Sequence, residues 1–230
     1  GTDKMFLQAG ADIILESGGL TSTATGDALQ LLAANNFINN FGGSILSAVN
    51  GRWVVYSTNP ANDTRNGLVY NFKQYNSSFG DAIQGAGNGF VYSLAPTISA
   101  ALIGSASKVY DATSGATLIA ANYTFSGAID GDSVTLNNPA NGVFNDKHVG
   151  TGKSIDVTNV LIDSAINGSA TIFGYSLANT ALTGNIGEIT KANLTISSNN
   201  VTKVYDSTLS AAGSALVTVG SLKGTDSLSG

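Results

Sequence analysis

The sequence predicts an all-β protein, and three observations carry that prediction. Charged residues make up only 11% of the 230-residue chain, against about 25% in an ordinary soluble domain. A helical bundle covers its exposed faces with Lys, Glu and Arg, so this composition disfavours one. Glycine is abundant, with 28 residues, and together with Asn, Ser and Thr it supplies the turn chemistry that many short strands need. Apolar residues alternate over short runs bounded by those turn residues, the pattern of strands with one buried face. The hydrophobic fraction of 43% is enough for a real core.

Residues 5–56 read as very short strands. Gly10-Ala11-Asp12-Ile13-Ile14-Leu15 and Gly26-Asp27-Ala28-Leu29-Gln30-Leu31 each set a turn signal before apolar residues at alternate positions. Two more strands are expected around 45–49 and 53–56. Strands this close suit a solenoid, whose coils stack one on the next. A hairpin meander fits the same spacing slightly less well. In the solenoid reading, Asn35-Asn36 and Asn39-Asn40 occupy coil corners, where Asn tolerates left-handed geometry. A short helix over 27–37, capped by Asp27, is the competing local reading; the Asn-Asn pair it runs into counts against it.

Residues 57–90 are loop-rich, and they and the next few residues carry Tyr70, Phe72, Tyr75, Phe79, Phe90 and Tyr92. A structureless loop that long is unusual inside a compact domain. The rings are therefore expected to cap the open end of the solenoid, where an exposed strand edge needs cover. Residues 98–190 return to alternating strands at 123–127, 133–136, 155–160 and 171–177. Asp130-Gly131-Asp132, Asn141-Gly142 and Asn167-Gly168 are among the turn signals between them. That spacing predicts an antiparallel sandwich or a similar all-β domain.

The strongest internal signal is a repeat. Lys108-Val109-Tyr110-Asp111-Ala112-Thr113 recurs 95 residues later as Lys203-Val204-Tyr205-Asp206-Ser207-Thr208, a plausible domain length. Val and Tyr are expected at a strand end, and Asp is expected to open a turn by accepting backbone N–H bonds. Lys108, Tyr110, Asp111, Lys203, Tyr205 and Asp206 are thus structural motif residues.

With Gly131-Asp132-Ser133-Val134-Thr135-Leu136, Val149-Gly150-Thr151-Gly152-Lys153 and Ile186-Gly187-Glu188-Ile189-Thr190-Lys191-Ala192-Asn193-Leu194-Thr195-Ile196, the repeat resembles the YDG-type repeats of large bacterial exoproteins. That family usually has Gly after the Asp; Ala112 and Ser207 stand there instead, which puts a left-handed backbone at that position in doubt. Arg52-Trp53-Val54-Val55-Tyr56-Ser57, followed by Asn59-Pro60, resembles the closing segment of filamentous-haemagglutinin-type β-helices. The resemblance implies the end of a right-handed parallel β-helix at 1–57, an aromatic, loop-rich cap at 58–97, a β-sandwich-like YDG-type repeat at 98–190 and the start of a second repeat at 191–230. It further implies a secreted, cell-surface adhesin or biofilm-matrix protein, exported by a two-partner-type outer-membrane transporter.

Catalytic chemistry is not expected. The only histidine, His148, sits among polar turn residues with no nucleophile beside it in the sequence. Gly150-Thr151-Gly152-Lys153-Ser154 ends like a phosphate-binding loop, but the first Gly of that pattern is replaced by Lys147. Gly85-Ala86-Gly87-Asn88-Gly89 misses the dinucleotide spacing. Asp130-Gly131-Asp132-Ser133 offers two carboxylates where calcium wants six to eight oxygens, so a plain turn is the favoured reading. With no cysteine, thiolate nucleophiles, disulfides and cysteine-ligated zinc are excluded. Cofactors and metals are not expected. Six Asn-x-Ser/Thr triplets occur, about as many as composition alone produces.

The formal net charge of −5 argues against a nucleic-acid partner. No apolar run is long enough for a membrane-spanning helix, and membrane insertion is not expected. Gly1-Thr2-Asp3-Lys4 does not read as a signal peptide, and the polar tail from Gly224 suggests a piece of a longer protein. The expected role is a stalk or presentation module. Two alternatives stand beside it. One is a carbohydrate-binding module contacting host or matrix glycans through Trp53, Tyr70, Tyr75 and Tyr92; those rings filling the cap core is the competing reading. A hydrolytic β-helix is disfavoured because 1–57 carries only Asp3, Asp12, Glu16 and Asp27 as carboxylates. The other alternative is a self-assembling filament subunit, joined through unpaired strands at 191–219.

Overall fold

The structure, a computed structural model, describes residues 3–228. Gly1, Thr2, Ser229 and Gly230 lie outside the described residues, and with them the extreme ends of the expected 1–57 and 191–230 segments. The described regular structure is all β-strand, apart from short 3-10 turns at Pro60–Asn62 and Ala120–Asn122. The helix weighed for 27–37 does not form. Gly26–Ala33 is a strand in which Leu29, Leu31 and Ala33 are buried in alternation. Pairing along both of its edges overrides the local helix propensity.

The chain divides into two compact units. The first takes the residues up to Ala100, Phe125–Asn137 and Val160–Thr180; the second takes Ala101–Thr124, Asn138–Asn159 and the residues from Ala181 onward. The segment 98–190 therefore contributes to both.

The first unit is built on an eight-stranded sheet. Its order is Met5–Ala9, Gly26–Ala33, Gly51–Ser57, Gly89–Tyr92, Phe72–Gln74, Ala170–Phe173, Ile162–Asn167 and Ser133–Leu136. Pairing is parallel through Ala170–Phe173 and antiparallel beyond it. Met5 pairs with Leu29, and Leu29 pairs with Trp53, a separation of 24 residues each time. Ile13 pairs with Phe37 at the same separation in a second parallel pair, Ile13–Leu15 with Phe37–Asn39. A third parallel pair joins Leu20–Ser22 to Leu46–Ala48. Asn39 is the last residue of its strand and fully buried, and none of Asn35, Asn36, Asn39 and Asn40 has the left-handed backbone expected of a corner. Asn39 Nδ2 donates to the Gly42 and Arg65 carbonyls, and its Oδ1 accepts from the Phe41 and Gly42 N–H groups.

Strand Gly51–Ser57 is buried on both faces from Trp53 onward, which is why it reads as a continuous apolar run. Trp53, Tyr70 and Phe37 surround the Phe90 ring at 5.3, 5.4 and 6.0 Å between centroids. Val54, Tyr56, Phe72 and Val91 form a second cluster, with Leu32, Ile83 and Phe173 packed against it. Each such aromatic pair adds about 0.5–1.5 kcal/mol beyond the area it buries. Two stretches of the segment expected as the cap lie in the sheet itself. Phe72–Gln74 and Gly89–Tyr92 are strands of it, and the ladder continues where Phe72 pairs with Thr171. An exposed strand edge is an invitation to further pairing, and here strands from 160–180 accept it. The Gly85-x-Gly87-x-Gly89 spacing has a packing reason. A Cβ at Gly85 would stand 2.1 Å from Phe72 Cγ, and one at Gly89 would stand 2.2 Å from Phe72 Cε1.

The second unit carries a five-stranded sheet, ordered Ala106–Val109, Leu182–Thr190, Gly150–Val157, Asn141–Phe144 and Gly115–Thr117. Its first pair is parallel and the rest antiparallel. Leu118, Phe144, Ile155, Val157 and Ile189 are among its buried core. Strands Thr195–Ser198 and Ala215–Val219, in the region expected to hold unpaired strands, pair with each other antiparallel.

Candidate functional site

Two arrangements gather chemistry-bearing side chains. The first is the repeated turn. Lys108 Nζ lies 2.7 Å from Asp111 Oδ1 and donates to the Thr113 carbonyl and hydroxyl, both at 2.8 Å. Asp111 Oδ1 also accepts from the Thr113 N–H at 2.9 Å and the Thr113 hydroxyl at 2.8 Å. The second copy repeats every contact. Lys203 Nζ lies 2.7 Å from Asp206 Oδ1 and donates to the Thr208 carbonyl and hydroxyl, while Asp206 Oδ1 accepts from the Thr208 N–H and hydroxyl. The residue between Asp and Thr is left-handed in both, with φ +66° at Ala112 and +62° at Ser207. The doubt raised by the missing glycine is thus removed: the turn keeps its shape without it. Three donors converging on one carboxylate oxygen hold the backbone there. Tyr110 donates to Asp226 at 3.1 Å, whereas Tyr205 is exposed.

The second arrangement was not visible in the sequence. In the first unit Lys73, fully buried on strand Phe72–Gln74, meets two carboxylates from the 130–132 turn. Its Nζ lies 2.6 Å from Asp130 Oδ2 and contacts Asp132 Oδ1. The Asp132 side chain has no exposed surface and that of Asp130 is 12% exposed. Arg65 grips Asp130 with both terminal nitrogens, at 2.7 and 2.6 Å. Tyr75 and Tyr175 donate to Asp132 Oδ2 at 2.8 and 3.0 Å, and Asn167 Nδ2 donates to Oδ1 at 3.0 Å. Two cations thus balance two anions.

The turn presenting the aspartates is tight, with φ +53° at Asp130 and +70° at Gly131. Burial pushes the Asp130 carboxyl up, but the Arg65 and Lys73 contacts outweigh it and hold it below its ordinary value. Burial above all, then the Asp132 bond, pushes the Tyr75 hydroxyl far up. Chiefly burial lifts that of Tyr175 to about 12. Both therefore stay O–H donors at neutral pH. Taking ions out of water costs several kcal/mol each unless every partner is in place, and here they are.

The other sequence candidates are placed as follows. Trp53, Tyr75 and Tyr92 are 2%, 1% and 0% exposed, so none offers a ring face for a sugar to stack on; they fill the core. Tyr70 is half-buried, with its ring edge-on to Phe90. His148 is exposed, its N–H donating to Asp146 Oδ1 at 2.7 Å. Gly150-Thr151-Gly152-Lys153-Ser154 lies within strand Gly150–Val157, and Lys153 pairs with Asp146 at 2.6 Å. The carboxylates of Asp130-Gly131-Asp132 are spent on Lys73, Arg65, Asn167 and two tyrosines. The sequence signal for Lys73 was its place in Phe72-Lys73-Gln74-Tyr75, a cation inside an aromatic run of a chain with only ten Lys and Arg.

Residues 95–182 match the family described as YDG domain, so this segment carries a YDG-type repeat; it includes the first of the two turns. Neither the curated proteins nor the solved structures yield a match.

Proposed function

We propose that this chain is a structural segment of a secreted, surface-displayed bacterial adhesin or biofilm-matrix protein, acting as a stalk that presents other parts of its parent. In this reading residues 5–57 are coils of a right-handed parallel β-helix, the YDG-type repeats are sandwich-like modules, and a two-partner-type outer-membrane transporter exports the whole. The observation that carries it is the turn built twice with the same contacts, 95 residues apart. Tandem modules with nearest-neighbour stability suit an extended, mechanical role. The 24-residue separation shared by Met5–Leu29, Leu29–Trp53 and Ile13–Phe37 supports it further.

The test replaces this segment, within its parent, by an unrelated rigid spacer of equal length. Adhesion of cells carrying the swap should match that of the unaltered strain, while simple deletion should reduce it. If the spacer fails to restore adhesion, the segment itself binds and the stalk reading falls.

A further inference from the structure

We propose that Lys73 and Asp132 join in an intramolecular amide, formed by the folded chain without a cofactor. Lys73 Nζ already touches Asp132 Oδ1 and lies 2.6 Å from Asp130 Oδ2, in a site where Lys73 and the Asp132 side chain have no exposed surface. An amine and a carboxyl held in contact away from water have the effective concentration of an intramolecular reaction. Exclusion of solvent also removes the water that would reverse the condensation.

The surroundings divide the two aspartates by role. Asp130 is committed to the bidentate Arg65 pair, which holds it as a carboxylate. It is the proton carrier. Asp132 receives donors on both oxygens, from Tyr75 and Tyr175 on Oδ2 and Asn167 on Oδ1. It is the electrophile. One proton passes from the Lys73 ammonium to the Asp132 carboxylate, leaving a neutral amine and a carboxylic acid. The amine nitrogen attacks Asp132 Cγ, the C–N bond forms, and negative charge gathers on Oδ2 under the two tyrosine hydroxyls, as in an oxyanion hole. Asp130 Oδ2 takes a proton from the nitrogen and delivers it to the departing Oδ1 hydroxyl, which leaves as water. Lys–NH3+ and Asp–COO− become one amide and one water; no oxidant or reductant enters. Two buried charges disappear, and the Arg65–Asp130 pair remains balanced.

The bond would clamp strand Phe72–Gln74 to the turn leading into Ser133–Leu136, both parts of the first unit. The test is the intact mass of the purified, folded full chain. It is expected to fall short of the sequence mass by one water, about 18 Da. Trypsin should leave a branched peptide joining 66–108 to 109–147, with fragmentation placing the link at Asp132. Lys73→Arg and Asp130→Ala should both show the full mass. Asp132→Asn keeps an electrophile and should instead lose ammonia, about 17 Da. A full-length mass in the folded, unaltered chain overturns the proposal. A link mapped to Asp130 overturns the division of roles.

Discussion

Lysine meets aspartate in two kinds of place in this protein, and the contrast separates what a charge pair does in water from what it does in a core. At Lys108–Asp111 and Lys203–Asp206 the carboxylates are 49% and 53% exposed. There the ion pair is one of several contacts that shape a turn, and exposed pairs of this kind contribute little on their own. At Lys73–Asp132 both side chains are fully buried. Removing Lys73 leaves the buried Asp132 carboxylate with neither water nor a cation in contact. The same residue types are thus local punctuation in one setting and a fixed dependency between distant strands in the other.

The contrast is broken most severely at Lys73. Lys73→Met keeps the volume but strips Asp132 of its cation, and should cost about 3–5 kcal/mol, read as a lower midpoint in chemical denaturation. Adding Asp132→Asn should recover most of that loss, because a neutral amide still accepts the Tyr75 and Tyr175 hydroxyl bonds. A single variant as stable as the parent would mean the cluster is not desolvated. Next in size is Gly85→Ala. Its methyl would collide with the Phe72 ring, and overpacking of this kind costs about 1–3 kcal/mol. Lys108→Met should cost far less than Lys73→Met by the same measurement.

Much of the fold was legible where the signal is local. Ile13, Leu29, Leu31 and the Asp130-Gly131 turn follow from alternation and turn chemistry, and each lies in the element its neighbours announce. The cluster was not legible, because Lys73 meets its carboxylates across 57 and 59 residues of chain. A local window sees a turn and a lysine and nothing that joins them. The same holds for the pairing of Phe72 with Thr171, which carries the first-unit sheet past the boundary expected at 97. The aromatic pattern alone fits sugar platforms or core; burial places Trp53, Tyr75 and Tyr92 in the core.

A smaller effect is expected at the left-handed residue of the repeated turn. Ala112 holds φ +66° with a Cβ, a conformation costing about 1–2 kcal/mol for an L-residue. Glycine removes that cost but enlarges the freedom of the unfolded chain by about 0.4–1 kcal/mol. Ala112→Gly should therefore raise stability by about 0.5–1 kcal/mol net, and Ala112→Val should lower it. A loss of stability on Ala112→Gly would show that the left-handed turn is not the one adopted.

The smallest effect, and the one that reads the contrast most directly, is titration. The Lys108 ammonium first, then the Thr113 N–H and hydroxyl, hold the Asp111 carboxyl down to about 2. Lys203 and Thr208 lower Asp206 in the same way. A folded value below the unfolded one, near about 4, stabilises the turn above the unfolded value, and that contribution is lost as pH falls through about 2. Carboxyl carbon NMR should place the Asp111 midpoint there. Because the pair faces water, added salt screens it and should move the midpoint back toward the ordinary carboxylate range. Asp130, held down by Arg65 and Lys73 against the opposing effect of its burial, should move much less with salt. Equal salt sensitivity at Asp111 and Asp130 would erase the distinction between the exposed and buried pairs.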